Sequence, residues 1–174
     1  MNEKQTAQFE GKIAEANDRI SNLETSKTDI DVLGDDQSNV YKLSSISGGE
    51  HKVRQGSDGK IYIETSSTAL SIHEITHVRQ SLNAGGLKFS SNGELLNIGS
   101  SVSPNKRPEV VRNMEIEAYQ KQYSYDLSFP GRTNNLKGID VHSVGNIMND
   151  GQAVYPLIYK YSVFLKKQQN LLGR

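Results

Sequence analysis

The chain has 174 residues, 34% of them hydrophobic, and a formal net charge of zero. This length is typical of one domain with a modest core, and the balanced charge gives no electrostatic reason to expect nucleic acid or an anionic membrane as a partner. No apolar run approaches the length of a membrane-spanning helix, and without cysteine the chain forms no disulfide and has no thiol chemistry.

Residues 1–27 are predicted to form a helix with an apolar repeat. The repeat has spacings of four, three, four and three and consists of Phe9, Ile13, Ala16, Ile20 and Leu23. Such a heptad seam packs against another helix or an apolar surface. We expect it to pack on the remaining domain, residues 28–174; the alternatives are a homodimer formed through this helix and a link to a larger parent polypeptide. No secretory signal is recognisable, so localisation stays open between the cytoplasm and export as part of a larger protein.

Two short strands are predicted before the middle of the chain. Residues 27–59 are rich in turn-forming glycine, serine and aspartate, and they flank strand-like runs at 39–46 and 60–64. Short strands combined with helices indicate the α+β class.

The most informative motif is at residues 73–77, which read His-Glu-Ile-Thr-His. Residues four apart lie on the same face of a helix, so His73 and His77 can bind one metal ion. The adjacent Glu74 can reach a water molecule on that ion and act as a general base. The pattern therefore predicts metal-assisted hydrolysis.

The helix that carries this motif is bounded by N-capping residues at 66–68 and by Gly85 with Gly86. Its apolar residues occupy much of its circumference, which predicts burial. Two unlinked histidines would be interpreted as ordinary surface or core residues. Two buried histidines and a glutamate need partners, however, and a zinc ion supplies them together.

A catalytic zinc ion takes three protein ligands, so the chain should supply one more. The next predicted helix, residues 108–125, contains Glu115 and Glu117, which point to nearly opposite sides. Glu117 shares its face with polar residues typical of a solvated surface, whereas Glu115 shares its face with apolar residues and Ala118. We therefore predict Glu115 as the third ligand; the alternative is a buried salt bridge, for instance with Arg79.

The remaining segments supply secondary candidates. The loop at residues 88–107 is predicted to cover the cleft and holds Glu94 as a remote alternative ligand. Residues 131–150 are predicted to be a loop that includes His142, and residues 153–172 a closing helix that packs on the domain. Five further residues could orient a ligand or stabilise a substrate oxyanion: Tyr119, Gln122, Tyr123, Tyr125 and His142. For each of them a structural role is the alternative.

The residues around these positions resemble a known family. The segment HEITHVRQ at residues 73–80 is followed by EIEAYQKQ at residues 115–122. This pair is similar to the zincin metallopeptidases of the glutamate-ligand type, and more narrowly to the C-terminal metallopeptidase domains of Rhs-type and other polymorphic toxin proteins of Bacteroidetes. The resemblance covers roughly residues 58–160. One position differs, since better studied glutamate zincins carry aspartate after the ExxA alanine, where this chain has Tyr119.

The resemblance implies a zincin-like fold, with a small mixed or antiparallel sheet beside the motif helix, and a zinc site of His73, His77 and Glu115 with Glu74 as catalytic base. It implies hydrolysis of a peptide or protein substrate, held by one of the predicted strands through backbone pairing. It also implies an effector domain of a larger secreted or toxin protein, with an immunity or inhibitor protein as partner. The alternative function is an inactive or structural zinc-binding module of a larger surface protein, for which a fourth ligand such as His142 would close the site.

Overall fold

The computed structural model describes residues 2–96, 103–104 and 106–172, with side chains as far as Asn170. The predicted α+β class is confirmed, because α-helices and two small sheets make up this part of the chain. The helices are α1 (Glu3–Asp35), α2 (Thr68–Asn83), α3 (Arg107–Asp126), α4 (Val141–Gly145) and α5 (Pro156–Leu172), with a short 3₁₀ helix at Leu136–Gly138. No helix in these described ranges is both long and apolar enough to cross a membrane.

The larger sheet has three strands and is mixed. Its strands are β1 (Tyr41–Ser45), β2 (Lys52–Gln55) and β3 (Ile61–Thr65). The central strand β3 pairs with β1 in parallel and with β2 in antiparallel orientation. The two predicted strands are therefore confirmed as β1 and β3, whereas β2 was not predicted because its sequence KVRQ has one apolar residue and lies among turn residues.

The C-terminal part contains more structure than the sequence indicates. The predicted loop at residues 131–150 includes the 3₁₀ helix and α4. A second, two-stranded sheet joins β4 (Met148–Asn149) to β5 (Gln152–Ala153), so the closing helix begins at Pro156 rather than at residue 153. These elements are short and lack a clear repeat, which is why periodicity does not reveal them.

Two hydrophobic clusters form the core, and the motif helix and its partner join them. One cluster lies between α2 and the sheet, where alternate residues of β3, Ile61 and Ile63, pack against Ile75 and Val78. The other is formed by α3, α4, α5 and the 3₁₀ helix. Helices α2 and α3 contribute to different clusters and also pack directly on each other.

Helix α1 is longer than predicted and packs with an unexpected face. It continues through residue 27, the predicted domain boundary, as far as Asp35. The residues it buries are Ser26, Asp29 and Leu33. The predicted heptad seam does not make this contact, since Phe9, Ile13 and Ile20 are 57%, 47% and 54% exposed.

The polar face of α3 is only partly solvated, which corrects the prediction made for it. Lys121 and Ser124 are 2% and 0% exposed because α1 covers them. The Asn22 amide donates to the Ser124 hydroxyl at 3.0 Å, and the Lys121 ammonium donates to Asp29 at 2.5 Å. Polar residues can be buried when each finds a partner, so a polar helix face need not face water.

Candidate metal site

The local sequence places the histidine motif in the middle of α2. Ser67 caps the helix by accepting a hydrogen bond from the Leu70 backbone N–H at 3.2 Å. The helix ends at Asn83, and Gly85 and Gly86 follow with φ of 106° and 100°, conformations that favour glycine. The uninterrupted helix between these limits brings the Nε2 atoms of the two motif histidines within 3.1 Å of each other.

Helix α3 supplies the third group. The Oε2 atom of Glu115 lies 3.7 Å from His73 Nε2 and 3.5 Å from His77 Nε2. Ala118, one turn further along α3, is fully buried, and its small side chain permits the close approach of the two helices. His73, His77 and Glu115, the ligand cluster, thus form one group that can hold a metal ion.

The spacing of these atoms fits a metal ion. Ligand atoms about 2.1 Å from a tetrahedral ion lie about 3.4 Å from one another. The three separations, 3.1, 3.5 and 3.7 Å, bracket that value. Glu115 Oε2 is also buried without a hydrogen-bond partner among the described residues. A buried carboxylate oxygen without a donor is costly, and a cation would satisfy it.

The two histidines of the ligand cluster differ in pKa. Burial, together with the neighbouring His77, lowers the pKa of His73 to about 3. Burial also lowers the pKa of His77, but the Glu115 carboxylate outweighs it and raises that pKa to about 9. Burial would raise the pKa of Glu115, yet the nearby charge of His77 brings it below its usual value. Without metal, the proton is therefore held by His77, while His73 is neutral and ready to bind.

A cleft opens beside the ligand cluster. Its cavity of about 220 Å³ is bordered by Glu74, His77 and Glu115, and on its other side by His51 and Glu94. Glu74 is partly buried, and burial raises its pKa. A carboxylate with a raised pKa beside a metal site is suited to accept a proton from water.

Glu94 borders this cleft without joining the ligand cluster. Its carboxylate lies 3.0 Å from the Lys52 ammonium. The loop residues that precede α3 do border the cleft as predicted, through Glu94, Leu95 and Leu96. Residues 97–102 and 105 of the same predicted loop lie outside the described residues.

Two glutamines orient or adjoin the histidines. His77 Nδ1 lies 2.9 Å from Gln80 Oε1, and the Gln80 amide donates to the Met114 carbonyl at 3.2 Å and to Glu117 at 2.8 Å. The buried Gln122 side chain also acts on His73, whose pKa it raises against the larger lowering by burial. The Gln80 contact fixes the His77 ring nitrogen that faces away from the metal position.

Four charged residues behind Gln80 form what we call the ion-pair cluster: Asp29, Arg79, Glu117 and Lys121. Asp29 lies 3.0 Å from Arg79 and 2.5 Å from Lys121. Glu117 pairs with Arg79 and lies 3.2 Å from Lys121. Arg79 therefore belongs to this cluster and not to Glu115, with which a salt bridge was considered from the sequence.

The other predicted candidates are distributed as follows. The Tyr119 ring packs edge-on against His73 with centroids 4.4 Å apart, so it joins the site. Tyr123 lies in the α3–α5 core, and Tyr125 is 49% exposed. His142 lies in α4 and borders a different cavity, of about 660 Å³.

Three residues at or near the site were not predicted. Gln80 follows His77 by three residues on the same helix face, and that spacing was a usable signal. His51 precedes β2, and its Nδ1 atom is buried without a hydrogen-bond partner among the described residues. Tyr155 precedes α5, contacts the Tyr119 hydroxyl at 2.9 Å and lowers the pKa of Glu115. Neither His51 nor Tyr155 lies in a periodic segment, so only the fold reveals them.

Comparison with known proteins finds no matching family model, no matching curated protein and no matching solved structure. The geometry and the donor chemistry of the site are therefore what support a function. They give a group of two imidazoles and one carboxylate that can hold a metal ion, beside a cleft bordered by a further carboxylate.

Proposed function

We propose that this chain is a zinc-dependent metallopeptidase of the zincin type, which hydrolyses peptide bonds in a peptide or protein substrate. One observation carries the proposal. The ligand cluster has nearly the spacing of a metal-bound set, and it borders a cleft that Glu74 also borders. The resemblance of the two helical motifs to glutamate-type zincins supports the same function.

The donor set favours zinc over other common ions. Two imidazole nitrogens with one carboxylate are a usual catalytic zinc set, whereas magnesium and calcium prefer oxygen ligands alone. Three protein ligands leave a fourth position open for water or substrate. His77 and Glu115 border the cleft, so that position would face it.

The chemistry then divides between the ion and the side chains. A bound zinc ion lowers the pKa of water from about 16 towards 7 and polarises a carbonyl group. Glu74 accepts the proton of the attacking water at its carboxylate and passes it to the leaving amine. His77 keeps its orientation through Gln80, and the raised pKa of Glu74 favours proton transfer in both directions.

The substrate would lie along the cleft and not as an added strand on β2. The Leu95 N–H already donates to the Val53 carbonyl at 2.9 Å, and the Gln55 N–H donates to the Gly93 carbonyl at 2.7 Å. These bonds occupy the outer edge of β2. We infer that an extended peptide contacts Leu95 and Leu96 at the cleft margin, with its carbonyl group directed at the ligand cluster.

The same reasoning bears on the biological setting and on the alternative function. The motif resemblance supports an effector domain of a larger secreted or toxin protein, with an immunity or inhibitor protein as a partner. A structural zinc module would need a fourth ligand, and the described residues offer three. His142, the residue suggested for that role, borders another cavity.

Digestion of a peptide library, followed by mass spectrometry, tests the proposal. Zinc-loaded protein should cleave peptides, and metal-free protein should not. Glu74→Gln should keep the zinc but lose about 100- to 10,000-fold in turnover, because the amide cannot accept the proton. Undiminished cleavage by Glu74→Gln, or cleavage that survives zinc removal, would contradict the mechanism. Zinc binding without cleavage of any peptide would favour the structural module.

A further inference from the structure

The heptad seam of α1 is a regular apolar feature that the described residues leave uncovered. Phe9, Ile13 and Ile20 are about half exposed, Ala16 is exposed and Leu23 is partly buried. From Asn2 to Ala14 every residue is exposed except Thr6, which is partly buried. A stretch of helix this short is marginal in water without packing. The seam is therefore expected to have a partner.

The packing face of α1 does not compete with the seam. Contacts with the domain come from Glu15, Arg19, Asn22 and Asp29. At 100° per residue these lie between about 80° and 160° around the helix from the centre of the seam, and Arg19 is the nearest to it. A second helix can therefore lie along the seam while α1 remains docked.

We propose that α1 pairs with α1 of a second copy of this chain as a parallel, in-register coiled coil. The seam places β-branched Ile13 and Ile20 at a positions, with Leu23 at one d position and Phe9 and Ala16 at the others. β-Branched residues at a with leucine at d favour two parallel strands. The repeat continues beyond Leu23 with Lys27 at a and Ile30, 48% exposed, at d. A single polar a residue such as Lys27 fixes register and strand number at some cost in stability.

The flanking charges agree with this orientation. The e positions carry Glu10, Glu24 and Asp31, and the charged g positions carry Lys12 and Arg19. A parallel pair sets each g residue against the e residue five positions on in the partner, and none of these g–e pairs joins like charges, so the two Lys27 side chains at the a position are the like charges that meet.

Arg19 would face Glu24 of the second copy in that arrangement. It donates to the Ser124 carbonyl at 3.1 Å within its own chain and retains further N–H groups for a carboxylate. An antiparallel pair would instead bring acidic e positions together, which is unfavourable. The charge pattern is thus self-complementary in the parallel orientation.

Sedimentation velocity over a range of concentrations tests the pairing. The full chain should show twice the 19.3 kDa mass of one chain at high concentration. Ile13→Asp combined with Ile20→Asp should shift it to one chain, with the helical circular dichroism of the docked domain retained. Ala14→Asp, at an exposed position away from both the seam and the packing face, should leave the dimer intact. A monomer at all concentrations, or equal dissociation by Ala14→Asp, would overturn the proposal.

Orientation can be tested separately because the chain has no cysteine. Thr6→Cys places one thiol at an a position near the start of α1, so a parallel, in-register pair brings two thiols together. Mild oxidation should then link two chains of the Thr6→Cys protein through a disulfide. The same oxidation should not link chains that also carry Ile13→Asp and Ile20→Asp. A dimer that fails to cross-link would overturn the parallel arrangement. These outcomes do not depend on the proposed peptidase activity.

Discussion

The two faces of α3 each carry a carboxylate, but that of Glu117 pairs with Arg79 and Lys121, whereas that of Glu115 faces the two motif histidines. On the first, Lys121 and Glu117 meet Asp29 and Arg79 in the ion-pair cluster. On the other, Glu115 Oε2 and Gln122 Oε1 are buried without a hydrogen-bond partner among the described residues, and so is the neighbouring His73 Nδ1. Because buried polar groups are normally paired, a concentration of unpaired ones marks a place where a ligand belongs.

The largest effect should be a loss of stability on removing one charge from the ion-pair cluster. Lys121→Met leaves Asp29 and Glu117 with less compensation inside the protein, and removing one member of a buried ion pair typically costs about 3–5 kcal/mol. Urea denaturation of the zinc-free protein measures the loss. Zinc stoichiometry should stay unchanged, since Lys121 contacts no ligand.

Lys60→Met is the matched control, because the ion pair of Lys60 with Asp58 is at the surface. It should leave the denaturation midpoint close to the wild-type value. If Lys121→Met also left the denaturation midpoint unchanged, the ion-pair cluster would not stabilise the fold.

A smaller effect, on zinc binding, is expected from changing Gln80, which connects the ligand cluster to the ion-pair cluster. Gln80 links His77 to Glu117, so Gln80→Ala should weaken zinc binding by about 10- to 100-fold without abolishing it. Competition with a chelator of known affinity measures the change. Gln120→Ala removes a different glutamine contact, to the Ile139 carbonyl, and should leave zinc affinity unaltered. Equal losses in both variants would show that Gln80 has no specific role in orienting His77.

The smallest expected effect is the change in zinc affinity for each unit by which the pH is lowered. The pKa of His77 is raised to about 9 in the zinc-free protein, so below that pH its proton must leave before Nε2 can bind metal. Apparent zinc affinity should therefore fall by about tenfold for each pH unit below 9 as one proton is displaced. His73, with its pKa lowered to about 3, adds no proton of its own above pH 5. An affinity that does not change between pH 6 and 8 would contradict this ordering of the histidines.

The sequence was sufficient for the parts governed by helix periodicity and capping. The limits of α2 followed from its N-cap and the glycine pair, and the choice of Glu115 over Glu117 as the residue near the histidines agrees with the structure. The reason given for excluding Glu117 was wrong in part, because α1 covers Lys121 and Ser124 on the same face. Periodicity reports which side chains share a face and not what covers that face.

Other parts depended on contacts between distant segments. His51 and Tyr155 reach the site from loops, and β2 has too few apolar residues to be recognised as a strand. The heptad seam was recognised, and α1 does pack on the domain as expected, but through a largely polar face and not through the seam. Hydrogen bonds and ion pairs decide such contacts, and a hydrophobic pattern does not record them.

Metal content of three purified proteins tests the central claim most directly. Elemental analysis after incubation with zinc and removal of free ion should find about one zinc per chain in the wild type and in Glu117→Ala, and none in Glu115→Ala. Equal zinc in both variants, or none in the wild type, would contradict the assignment of His73, His77 and Glu115 as a zinc site.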